Sequence, residues 1–144
     1  MRGLRVAVLA AGVIALTAPL ASSARSPAVR RGDVVLFGVP RLATLKCGAS
    51  GRFVQRVVGM PGDVWSEVRG RVFVDGRRLE ERYLRAGTRD RRTLALSDIP
   101  PRGRYARIPS GTYLLMGDNR ASACDSRVWG LLPRAAIRRV LEHA

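Results

Sequence analysis

Lysine is almost missing from this chain of 144 residues: Lys46 stands alone, and every other one of the 26 basic residues is arginine. Histidine is equally scarce, with only His143, and cysteine is limited to Cys47 and Cys124. So few ligands leave no His/Cys/Asp/Glu cluster with metal spacing, and there is no Ser-His-Asp set or Gly-rich phosphate loop ending in Lys. No cofactor or metal is therefore expected. Aromatics make up only 6% of the chain, which is thin for base stacking. No nucleic-acid motif accompanies them, so no specific nucleic-acid partner is expected. Acidic residues number 11, giving a formal net charge of +15. Such a surface is drawn to anionic lipid headgroups by about 1 kcal/mol per nearby cation, and it binds polyanions non-specifically at low salt. Long amphipathic helices and internal repeats are absent too. That removes bundles and solenoids from the list of folds.

No uncharged run reaches the ~20 residues that a membrane-spanning helix wants. The longest, residues 6–24, has nineteen, of which Val6 to Ala21 are the sixteen mostly apolar ones, and it follows the positive start Met1-Arg2-Gly3-Leu4-Arg5. It reads either as an uncleaved anchor over residues 1–21 or as a cleavable signal segment, for which Ser22-Ser23-Ala24 supplies small residues. Both readings put residues 22–144, a single domain, outside the cytoplasm: on the outer face of a bacterial-type membrane, or secreted. In that compartment Cys47 and Cys124 are expected to form a disulfide.

What the chain does have is short apolar runs separated by turns. Asp33 to Val39, Phe53 to Val58 and Thr112 to Met116 read as strands. Val64–Val68 and Arg71–Asp75 alternate about Arg69-Gly70 as a hairpin, with Asp75-Gly76 as the next turn. Glu80 to Arg104 is charged and carries Pro100-Pro101, so it reads as a basic, solvated excursion over 80–104. Pro133 onward gives a brief helical turn and a last strand or helix at Ile137–Leu141. The fold expected is all-β, a barrel-like or coiled sheet.

The densest stretch runs from Gly117 to Gly130, Gly-Asp-Asn-Arg-Ala-Ser-Ala-Cys-Asp-Ser-Arg-Val-Trp-Gly. Gly117 and Asn119 suit positive backbone angles after a strand. Asp125 and Arg127, two apart, would share a face of an extended segment and pair. Two further blocks lie upstream: Gln55-Arg56-Val57-Val58-Gly59-Met60-Pro61-Gly62-Asp63, and Ser22-Ser23-Ala24-Arg25-Ser26-Pro27-Ala28-Val29-Arg30-Arg31-Gly32-Asp33. In order and spacing the three resemble the Gly-Asp-Asn-Arg…Asp-Ser-Arg, Lys-Arg-Val-Val-Gly-x-Pro-Gly-Asp and Ser-x-Ser-Met-x-Pro boxes of the type I signal peptidases. The resemblance implies a coiled-sheet domain on an N-terminal anchor that cuts signal peptides from exported proteins with a serine nucleophile and a lysine base. It also implies supporting roles for Arg56, Asp118, Asn119, Asp125, Ser126 and Arg127, and an oxyanion-stabilising hydroxyl at Ser22.

Three positions depart from that pattern, and all three carry the chemistry. The nucleophile position holds Ala24, the base position Gln55, and the hydroxyl that would orient the base is Ala123. A methyl cannot attack a carbonyl, and a carboxamide takes no proton at neutral pH. Substitutes are weak. Ser23 would point to the other face of an extended segment, Ser26 lies ~7 Å along it, and Lys46 is nine residues ahead of Gln55. Three readings follow: a degenerate peptidase, a non-catalytic module that holds signal-peptide-like chains by strand addition, and a basic secreted protein that binds anionic surfaces.

Overall fold

The computed structural model describes residues 28–143. The anchor or signal segment and the positions Ser22, Ser23, Ala24 and Ser26 fall outside them. Among the described residues no helix is long and apolar enough to cross a membrane.

Among the described residues nine strands form two antiparallel sheets, as the short apolar runs require. β1 (Val34–Gly38) pairs with β2 (Arg52–Gly59), and β7 (Thr112–Met116) pairs with the far half of β2. β8 (Leu132–Pro133) and β9 (Ile137–Glu142) close the two sides, giving the order β8-β7-β2-β1-β9. The second sheet runs β5-β4-β3-β6, with β3 at Trp65–Val68, β4 at Arg71–Val74, β5 at Arg77–Arg78 and β6 at Leu94–Ala95. The predicted hairpin is there, and its sterics are plain: Arg69 and Gly70 have φ of 49° and 74°, both positive as a two-residue type I′ turn demands.

β2 and β7 lie between two cores. Val57 and Leu115, directly opposite each other, pack with Val35, Phe37, Trp129 and Ile137. Val58, Leu114 and Met116 point the other way, onto Trp65, Val72, Leu96, Ile99 and Ile108. Successive strand residues alternate sides, so the consecutive pairs Val57-Val58 and Leu114-Leu115 feed both cores at once.

Two expectations need correction. The stretch 80–104 is not simply solvated: Leu96 and Ile99 fill the second core, and Glu81 is 6% exposed. Its apolar residues are sparse but fall where β6 and a 3₁₀ turn over 96–98 deliver them inward. The segment after β1 also holds an unforeseen helix, α1 (Arg41–Cys47). Pro40 fixes its entry, and Gly48 ends it at φ 65° with its N–H on the Thr44 carbonyl, the proline-first, glycine-last signature of a helix. At seven residues α1 is too short for periodicity to announce it.

Candidate functional site

The site gathers where β7 ends. Gly117 and Asn119 do not take positive angles; the need for glycine is one of space. A Cβ on Gly117 would lie 2.7 Å from the Cβ of Ala123, closer than carbon atoms tolerate, so the turn folds back tightly upon itself. Asp125 then caps a second helix, α2 (Ser126–Trp129), accepting from the Arg127 N–H. The Asp125–Arg127 pair forms as expected but not on an extended segment. The cap bends the chain so that Asp125 Oδ1 takes Arg127 Nε at 2.9 Å and Oδ2 takes Nη2 at 2.8 Å. Ser126, also fully buried, donates no helix cap; its Oγ accepts the Leu115 N–H at 2.9 Å and ties the turn to β7.

Gln55 sits beside this turn, 7% exposed, and its Nε2 donates to the Cys124 carbonyl at 2.8 Å. The same carbonyl accepts the Trp129 indole N–H at 3.1 Å. That contact fixes the orientation of the Gln55 amide, because a flipped amide would set two carbonyl oxygens face to face. Its own Oε1 is buried without a partner. Arg56, next along β2, forks onto Asp118 with bonds of 3.0 and 2.9 Å, gives Nη1 to the Gly32 carbonyl, and stacks 4.1 Å over the Tyr83 ring. The hydrogen bond to Asp118 raises the guanidinium pKa further against the pull of burial. A small cavity of about 130 Å³ opens here between Val34, Val54, Gln55, Arg56 and Asp118. Asn119 is exposed at the tip of the turn.

On the β7 side, strand pairing begins only at Arg56. Arg52 to Gln55 are bonded to β1 on one side, and among the described residues no strand pairs with them on the other. The free edge therefore runs directly into Gln55.

Of the proposed substitutes, Lys46 is exposed in the last turn of α1, lining a surface groove with Leu42, Pro100, Arg102 and Val128. It is not a buried amine. Cys47 and Cys124 are joined, with Cα atoms 6.3 Å apart. His143, itself exposed, sets Nδ1 3.1 Å from the buried Asp33. Among the described residues no His/Cys/Asp/Glu group has metal-site geometry.

Sequence reasoning missed the buried charges behind the turn. Arg127 Nη1 reaches Asp90 at 2.7 Å and Glu67 only at 3.4 Å, while Arg120 binds Glu81, which also takes Arg89. One signal was available: Glu67 lies two residues after Trp65 on an alternating strand and so shares its buried face. Because Asp125 and Asp90 take the short bonds of Arg127, Glu67 is left poorly paired. Burial pushes its carboxyl up to about 7; the Arg127 charge opposes this and the Asp90 charge adds to it. An acid whose pKa is higher folded than unfolded stabilises the fold fully at low pH and loses that contribution as pH rises through its folded value. Stability should accordingly fall by about 3 kcal/mol from this group between pH 4.5 and 7. Denaturant melts of wild type and Glu67→Gln across that window check it: the variant should lack this part of the slope, and parallel curves would refute the assignment.

Comparison with known proteins places these features in a family. The sequence model described as signal peptidase, peptidase S26, matches residues 9–141. A probable signal peptidase I-2 of Synechocystis is 34% identical over 109 residues, covering 74% of this chain and 44% of that protein. Signal peptidase I of Leptolyngbya laminosa is 32% identical over 111 residues, covering 75% and 48%. The chain thus spans about half the length of the curated relatives it matches. A crystal structure of a signal peptidase I from Enterococcus faecalis aligns with a TM-score of 0.66 over 81% of this chain and 99% of that one. At 23% identity it speaks to the fold.

Proposed function

Because the chain belongs to the signal peptidase family, peptidase S26, we propose that it holds signal-peptide-like segments of exported proteins in the family's fold without cutting them. One observation carries this reading. The residue at the family's base position is Gln55, whose buried amide is a donor to the Cys124 carbonyl. It can neither take a proton nor move to one. The only lysine is exposed on α1. Ala24, at the nucleophile position, has no hydroxyl at all.

What remains suits binding. The free edge of β2 offers main-chain donors and acceptors to an extended segment, which is the physics of strand addition. Val54, 54% exposed, gives that edge an apolar side chain. In this reading the domain sits on the outer face of the bacterial membrane, held by Val6–Ala21 as anchor, and the whole chain's net charge of +15 keeps it at an anionic lipid surface. If that segment is removed, the same domain is secreted.

The test is a titration of purified full-length protein with fluorescent signal peptides, followed by mass spectrometry of the mixtures. Saturable binding with uncut peptide is the expected result. Cleavage that disappears in Lys46→Ala would mean an enzyme with a relocated base, and a flat titration with several peptides would end the binding reading.

A further inference from the structure

The disulfide lies in a place where opening it would be felt at the site. It joins the last residue of α1 to the turn that carries Asp118 and Asp125. Cys47 is exposed, whereas Cys124 is half-buried. Two residues before Cys47, Leu45 is 69% exposed, the highest value among the large apolar side chains described. The carbonyl of Cys124 is the acceptor for both Gln55 and Trp129. The turn's remaining anchors do not pass through sulfur: Arg127 holds Asp125, Arg120 Nε bonds the Gly117 carbonyl, and Arg56 holds Asp118. Breaking the bond would release the Cys47 end of α1, whose Ala43 and Leu42 stay packed in the first core, and the Cys124 peptide, while those anchors keep the fold.

We propose that the Cys47–Cys124 bond is an exchangeable latch on the Gln55 site, opened by a dithiol protein that docks on Leu45 and the tip of α1. Exposed disulfides are the ones that exchange readily. The step balances as ordinary exchange. A partner thiolate attacks Cys47 Sγ, Cys124 leaves as thiolate and takes a proton, and the partner's second thiol resolves the mixed disulfide. The partner is oxidised by two electrons and both cysteines end as thiols. With the latch open, the Cys124 carbonyl drifts from Gln55, and the end of the β2 edge loses its fixed shape. Affinity for an extended peptide then falls.

This inference rests on the binding reading only for its affinity arm; in a Trp65→Phe background, which removes the chain's other tryptophan, Trp129 reports the latch by itself. Full-length protein is compared oxidised, after dithiothreitol, and as Cys47→Ser/Cys124→Ser, by circular dichroism, tryptophan emission and peptide titration. The reduced and double-serine forms should keep their circular dichroism and shift the Trp129 emission, since the indole loses its carbonyl. Each should also bind peptide about ten-fold more weakly. Leu45→Glu should slow reduction by a Cys-x-x-Cys protein but not by dithiothreitol. Unchanged emission and affinity on reduction, or global unfolding, would overturn the latch, and equal rates for Leu45→Glu would overturn the docking surface. A shifted emission with no peptide affinity in either state would leave the latch standing and remove the peptide-binding function instead.

Discussion

Asp125→Ala should cost about 3–5 kcal/mol of folding stability, the range for breaking one side of a buried ion pair. Both partners are fully buried. The carboxylate accepts the Arg127 N–H, Nε and Nη2, and its Oδ2 also takes the Gly117 N–H at 3.2 Å. Alanine would leave a guanidinium in the interior with only Asp90, the Arg120 carbonyl and the distant Glu67, and would strip the cap from α2. A domain of this size has roughly 5–15 kcal/mol in total, so the melting temperature should drop by roughly 10–20 °C. Asp125→Ala/Arg127→Met, which removes the stranded charge, should recover part of the loss. Calorimetry on wild type, Asp125→Ala, Arg127→Met and the double variant settles it. If the double variant is as unstable as the two single losses added together, the cost lies in packing and not in an unpaired charge.

The wild-type chain should leave signal peptides uncut, and Ala24→Ser/Gln55→Lys should turn it into a slow signal-peptide endopeptidase. An amine placed where the Gln55 amide now lies would be desolvated, and desolvation lowers a lysine pKa towards neutrality, where it can serve as a base. Such a base contributes about 10²–10⁴-fold, and rates at least ~10²-fold above wild type are expected. Ala123→Ser, added third, should raise the rate again by orienting the amine. Product mass spectrometry with each single variant as control is the measurement. Activity in either single variant equal to that of the double, or none in a double variant that folds and binds peptide, would show that the missing side chains are not what stops the reaction.

Much of the fold could be read in advance because its causes are local. Arg69-Gly70 and Asp75-Gly76 impose their turns whatever surrounds them, and the runs at Val34, Phe53 and Thr112 fell within a residue or so of the observed strands. The helix α1 escaped because seven residues carry no reliable period, and Pro40 served equally well as the end of a strand. The excursion over 80–104 misled for a different reason. Its charges were counted as surface, yet Glu81 and Asp90 are neutralised by Arg120 and Arg127 from the far end of the chain, so burial of the segment became affordable.

The sequence by itself determined that position 24 carries a methyl and position 55 a carboxamide, neither of which is a nucleophile or a base in any fold. Only the tertiary structure decided which polar groups are buried and whom they meet: Gln55 on the Cys124 carbonyl and Glu67 left short of Arg127. Functional groups belong to single residues, whereas burial and partnership arise between residues 60 or more positions apart, and nothing local in the chain records those distances.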